Sequence, residues 1–144
     1  MALPVQKFRE IVLQILFSRD FEATDDADMV PFMMNELKVT RRAMLDAHQR
    51  MASVVEKLPE IDEIITRHST EYTFERISRV EKTILRLAIF ELKYDDSIPE
   101  LVAIAEAIRL CRKFGTPESA QFVNAILDGI YKKDVKPAEE PATV

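Results

Sequence analysis

Basic residues recur along one stretch of this 144-residue chain: Arg76, Arg79, Lys82, Arg86 and Lys93, in the run RISRVEKTILRLAIFELK. At about 3.6 residues per turn they fall within a sector of roughly 120° and form a positive stripe on one side of a helix. Further cations stand at Lys7 and Arg9, at Arg41 and Arg42, and at Arg112 and Lys113. Local groups of Lys and Arg are suited to meeting phosphates, and aromatic side chains such as Phe17 and Phe122 can add base stacking. Taken singly, each group is also what a solvated helix face looks like. Together they define a candidate patch for single-stranded RNA.

Catalytic patterns are missing from the sequence. There is no glycine-rich phosphate loop, and no serine or cysteine set beside a base in a known arrangement. His48 and His68 lie too far apart for a helical metal pair, and Cys111 is the only cysteine, so neither a zinc cluster nor a disulfide framework can form. We therefore expect no enzyme activity, no cofactor and no metal. The net charge of −5 also argues against coating nucleic acid by bulk positive charge, which leaves only a local patch.

A patch needs elements to hold it. With 47% hydrophobic and 31% charged residues, the chain is expected to be one soluble domain with a proper core. Gly115 and Gly129 are the only glycines, too few for a β fold full of tight turns, and the abundance of Leu, Ile, Ala, Glu, Lys and Arg points to an all-α fold. The opening MALPVQKFREIVLQILF is interrupted by Lys7, Arg9, Glu10 and Gln14, so it reads as neither a signal peptide nor a membrane span. A cytoplasmic location follows by default, with no membrane partner.

Opposite the basic stripe, Ile77, Val80, Ile84, Leu85, Leu87, Ala88, Ile89 and Leu92 cover an apolar arc of roughly 200°. A helix this apolar should pack on two sides, so residues 76–93 are expected to be the central pillar. Glu81 and Glu91 fall inside that arc. Each needs an internal partner, or else faces a groove that a second protein fills.

Around the pillar the periodicity predicts a first helix over Leu3 to Phe21, an acidic turn over 20–28 and a short helix over 29–37 with Pro31 in its first turn. Thr40 caps a helix running to about Leu58, and Pro59 opens another through Ile65. The seam between two halves, 1–70 and 71–135, is expected at His68-Ser69-Thr70. After the pillar, Pro99 starts a helix carrying Leu101, Val102, Ile104, Ala105, Ile108 and Cys111 inward and ending at Gly115. Thr116 and Pro117 then open a last helix that buries Phe122, Val123, Ile126, Leu127 and Ile130. The proline-containing tail at 136–144 is expected to be disordered.

Three segments carry a resemblance. VEKTILRLAIFEL (80–92), IPELVAIAEAIRLCRKFG (98–115) and ESAQFVNAILDGI (118–130) resemble the NusB family of bacterial transcription antitermination factors, and REIVLQILF (9–17) is similar to that family's opening helix. The resemblance implies about seven helices in two packed three-helix bundles, residues 1–135 forming one domain. It also implies pairing with NusE, a small-subunit ribosomal protein, and binding of the heterodimer to the boxA element of nascent RNA. In the transcription elongation complex this suppresses premature termination and supports ribosomal RNA synthesis.

By position, Lys7 and Arg9 match the family's basic opening and Phe17 its aromatic. Lys82, Arg86, Glu118, Gln121 and Phe122 match the RNA-facing surface, to which the stripe adds Arg79. Glu75 and Glu81 are the expected NusE contacts. For Phe122, stacking on a base and packing within the last helix both stay open. The chain departs from the family in its sparser basic N-terminus and in Ala105, where the family usually has asparagine. Two other readings remain: a detached RNA-targeting module of an rRNA methyltransferase system, and a homodimer whose contact surface masks the RNA patch.

Overall fold

The computed structural model describes residues 4–19 and 39–135. Among these the regular structure is helical: α1 (Val5–Arg19), α2 (Arg41–Glu56), α3 (Leu58–His68), α4 (Arg79–Tyr94), α5 (Glu100–Phe114) and α6 (Pro117–Ile130). A 3₁₀ turn, Phe74–Arg76, precedes α4, and a π turn, Tyr131–Val135, follows α6. The expected all-α class holds. The acidic turn at 20–28, the short helix expected over 29–37 and the tail from 136 lie outside the described residues.

Contacts divide the chain into two compact units, Met1–Glu56 and Lys57–Val144. In the first, α1 packs on α2. Ile11, Val12, Ile15 and Leu16 are buried on α1, and Met44, Ala47, Met51 and Val54 on α2, at helical spacing. Thr40 caps α2 as expected, its hydroxyl accepting from the Ala43 N–H at 3.1 Å. The helix stops at Glu56 because Pro59, in the first turn of α3, lacks an N–H and its ring would collide with the carbonyl of Val55 in a continuous helix.

In the second unit α4 is the pillar. It touches α3, α5 and α6, and Ile84, Leu85, Leu87, Ala88, Ile89, Phe90 and Leu92 are all buried. The helix is shorter than the expected 76–93 run, however. Ile77 and Ser78 are extended, and Ser78 and Glu81 form a capping box: the Ser78 hydroxyl accepts from the Glu81 N–H at 3.2 Å, and the Ser78 N–H donates to Glu81 Oε1 at 3.3 Å. Arg76 therefore sits on the 3₁₀ turn and not on the stripe. Glu81 spends part of its acceptor capacity on the helix end, while Glu91 is buried and engaged.

Helix α3 packs on α4 and α6, with Ile61, Ile64 and Ile65 buried, so by its contacts it belongs with the second unit. Helix α5 turns inward a face rotated from the expected one: Cys111 is buried as expected, together with Ala103, Ala107 and Leu110, while Ile104 and Ile108 are half-buried, Leu101 is 66% exposed and Ala105 and Val102 are also exposed. Small residues at this i, i+4, i+8 spacing let α5 approach its neighbours closely. The bulkier Leu101 and Val102 lie off that line.

Gly115 ends α5, its N–H donating to the Cys111 carbonyl at 2.8 Å. Its φ of −119° needs no glycine. What needs one is space, because a Cβ there would sit 3.0 Å from the Cys111 carbonyl oxygen and 3.2 Å from the Ser119 side chain. Thr116 then caps α6 through the Ser119 N–H at 3.1 Å, and Val123, Ile126, Leu127 and Ile130 are buried. Phe122, expected among them, is only half-buried. No helix among the described residues is long and apolar enough to cross a membrane.

Candidate nucleic-acid interface

The link between α3 and α4 contains no long helix, yet it carries two aromatic residues, Tyr72 and Phe74, in an otherwise polar segment. It is held locally. The Ser69 hydroxyl donates to the Tyr72 carbonyl at 2.6 Å, and the Arg76 N–H to the Thr73 carbonyl at 2.9 Å. This places Tyr72 edge-on to Phe122 of α6, with ring centroids 5.6 Å apart and planes at 69°.

Beneath that pair opens a hollow of about 650 Å³ within the second unit. Its lining includes Tyr72, Arg76, Glu81, Glu118, Gln121 and Phe122. Four residues singled out in the sequence, Glu81, Glu118, Gln121 and Phe122, are thus brought to one place from two helices. Among the described residues the carboxylates of Glu71, Glu81 and Glu118 line it together with the Arg76 guanidinium and the His68 imidazole. Such a wall accepts hydrogen bonds and repels phosphate, so it suits base edges or the donor groups of a protein and not a nucleic-acid backbone. A smaller hollow of about 530 Å³ lies against the same link and is lined by Phe74 and Glu75 among others.

The cations stand beside these hollows. Lys82 places its ammonium 4.3 Å from the centroid of the Phe74 ring, where the ring face attracts the charge without neutralising it. Arg86, one turn further along α4, has its guanidinium 5.7 Å from the same ring. It also donates a two-pronged pair of hydrogen bonds to Asp62 of α3, Nε to Oδ1 and Nη2 to Oδ2, each at 2.9 Å. The side chain of Arg86 is 15% exposed and that of Asp62 28%. Arg79 is exposed in the first turn of α4, and Glu75 is exposed on the 3₁₀ turn.

The α1 residues belong to the other unit. Lys7 is exposed and Phe17 half-buried, but Arg9 is 5% exposed and engaged with neighbours, unlike the open cation expected there. Tyr72, Phe74, Arg76 as a rim residue, and Asp62 were missed. An aromatic pair inside the polar segment STEYTFER is the signal that could have found the first two. Nothing local announces Asp62, because its partner is 24 residues away.

Comparison with known proteins places the architecture. The family model described as the NusB family matches residues 6–132. The transcription antitermination protein NusB of Chlamydia pneumoniae is 38% identical over 128 residues, which is 89% of this chain and 80% of that protein. That of Geobacter sulfurreducens is 39% identical over 123 residues, covering 85% of this chain and 89% of that protein. Among solved structures, NusB of T. maritima superposes with a TM-score of 0.79 at 33% identity, covering 94% of this chain and 95% of that one. A complex of antitermination factors NusB and NusE with dsRNA contains a chain of the same fold, with a TM-score of 0.75 at 24% identity over 88% of this chain and 95% of that one. The chain belongs to the NusB family.

Proposed function

We propose that this protein is a non-catalytic transcription antitermination factor that binds boxA RNA as a heterodimer with NusE. It would act in the bacterial cytoplasm, within the transcription elongation complex, to support ribosomal RNA synthesis. The observation that carries this reading is the gathering of Glu81, Glu118, Gln121 and Phe122 around one hollow, with Lys82 over the Phe74 ring that lines the smaller hollow, in a chain of the NusB family. The complex of a NusB with NusE and dsRNA, similar in fold, supports the same pairing.

The chemistry divides by residue type. Lys7, Arg79 and Lys82 meet phosphates and supply the salt-sensitive part of binding. Gln121 and Glu118 offer hydrogen-bonding groups to a base edge, and Phe122, half-buried against Tyr72, presents the rest of its ring to stacking. Phe17, half-buried on α1, is proposed as an aromatic contact of the same kind. Glu75, exposed on the 3₁₀ turn, and Glu81 are proposed as contacts for NusE, whose basic groups would complement them.

The test is a titration of boxA-containing RNA and a scrambled control with this protein, alone and with its cognate NusE, at two salt concentrations. Tight, sequence-selective binding that needs NusE is the expected result. Equal and weak binding to both RNAs in every condition overturns the reading. Phe122→Ala should weaken selective binding by about 1–3 kcal/mol, the usual loss of one stacked base.

A further inference from the structure

Arg86 looks from the sequence like a phosphate ligand, since it belongs to the basic stripe of α4 and is positioned away from the apolar arc. The structure gives it different work. Both carboxylate oxygens of Asp62 on α3 are taken by its Nε and Nη2 at 2.9 Å, and the pair is half-buried. A guanidinium fork closed on a carboxylate has its charge offset and two of its five N–H donors used, which weakens it as a phosphate ligand. The same guanidinium lies against the ring of Phe74, which Lys82 covers at 4.3 Å.

One residue of the 3₁₀ turn is therefore held by two cations of α4, and one of those cations, Arg86, is itself anchored to α3. That turn carries Arg76, on the wall of the larger hollow, and Glu75, on the wall of the smaller one. We infer that Arg86 is a positioning residue: with Asp62 it clamps α3 to α4 and fixes Phe74, and so sets the wall of the binding hollow, while Lys82 meets the phosphate. The RNA arm of this inference rests on the function proposed above; the clamp itself does not.

The two roles give opposite results in a small set of variants. Arg86→Lys keeps the charge but loses the fork. As a positioning residue it should weaken boxA binding in the presence of NusE by about tenfold, which corresponds to 1.4 kcal/mol, and leave the slope of affinity against salt unchanged. Lys82→Ala should reduce that slope by about 0.7, the contribution of one phosphate contact on a single strand. The charge-swapped double variant Asp62→Arg/Arg86→Asp should restore binding, because it rebuilds the pair with the cation on the other helix. A phosphate ligand would behave otherwise, with Arg86→Lys close to wild type and the swap both weak and shallower in salt dependence. That pattern overturns the inference.

Hydrogen exchange tests the clamp without RNA. The Arg76 and Ile77 amides, which donate to the Thr73 and Phe74 carbonyls, should exchange about tenfold faster in Arg86→Lys. The amides of the α4 interior, from Ile84 to Ile89, serve as the control for global folding and should keep their protection. Unchanged exchange at Arg76 and Ile77 removes the clamp. Should the wild-type protein with NusE bind no boxA RNA at all, the functional reading falls, and the exchange result still decides the positioning role.

Discussion

The two ends of α4 are built from the same ingredients and behave differently. In the N-terminal half an aromatic ring (Phe74), two cations (Lys82 and Arg86) and a carboxylate (Asp62) join α4 to α3 and to the 3₁₀ turn. At the C-terminal end Tyr94 stacks beneath Lys57, whose ammonium is 5.1 Å from the ring, and its hydroxyl donates to Glu60 at 3.3 Å. The first cluster has two short parallel hydrogen bonds between charged groups in a half-buried place. The second has one long bond in an exposed place, where water competes for every group. Composition does not decide whether a polar cluster ties a fold together; geometry and withdrawal from water do.

Breaking the N-terminal cluster should therefore have the largest effect. Asp62→Ala leaves the Arg86 guanidinium half-buried without its two acceptors, and is expected to lower stability by about 2 kcal/mol in urea denaturation, with the slope of the transition unchanged. Gly115→Ala should follow closely, at about 1–2 kcal/mol, because its Cβ would press on the backbone oxygen of Cys111, which cannot move aside as a flexible side chain would. The gain usually expected when alanine replaces glycine would not appear, and a stabilised variant would show that the α5–α6 joint relaxes freely.

These sites differ in how far they can be read from the sequence. The pillar itself was legible, since Ile84, Leu85, Leu87 and Ile89 define a face wide enough for several neighbours. Its start was legible too, in the Ser78-x-x-Glu81 signature, but Ile77 is buried and keeps the apolar period running through the break, which hides the cap behind the pattern. In α5 the sizes of Leu101 and Val102 drew the inward face toward themselves, whereas close packing selected Ala103 and Ala107. The hollow was half legible: Glu118, Gln121 and Phe122 share one helix, but the Tyr72 ring reaches them from a segment with no period. The Arg86–Asp62 clamp was not legible at all, because tertiary approach between residues far apart in the chain leaves no mark on local spacing.

At high pH a buried thiol adds to the difference. Burial, and then the nearby Glu81 charge, push the Cys111 thiol at the N-terminal end up to about 11. Its proton is held more tightly in the folded than in the unfolded chain, where the ordinary value is 9.0. The sign follows from linkage: the contribution is fully present below pH 9 and is lost as the pH rises through about 11. Urea stability should fall across that window, and Cys111→Ala should flatten the fall by removing the group. In the folded protein the thiol should also resist alkylation near neutral pH and react once the chain is unfolded.

The smallest effect belongs to the C-terminal cluster. Burial raises the Tyr94 phenol above its ordinary value, with the Glu60 charge and hydrogen bond adding to it, yet the residue is 36% exposed and its bond to Glu60 is long. Tyr94→Phe removes only the hydroxyl, leaving the ring that Lys57 covers and that lies 5.7 Å from Phe90. Its cost in urea denaturation should be about 0.5 kcal/mol or less. A loss matching that of Asp62→Ala would place the two ends of α4 on an equal footing, and would mean that the exposed cluster is as firmly built as the half-buried one. A near-silent substitution would instead leave the polar part of the α3–α4 contact resting on Arg86 and Asp62, beside the apolar packing of Ile61, Ile64 and Ile65.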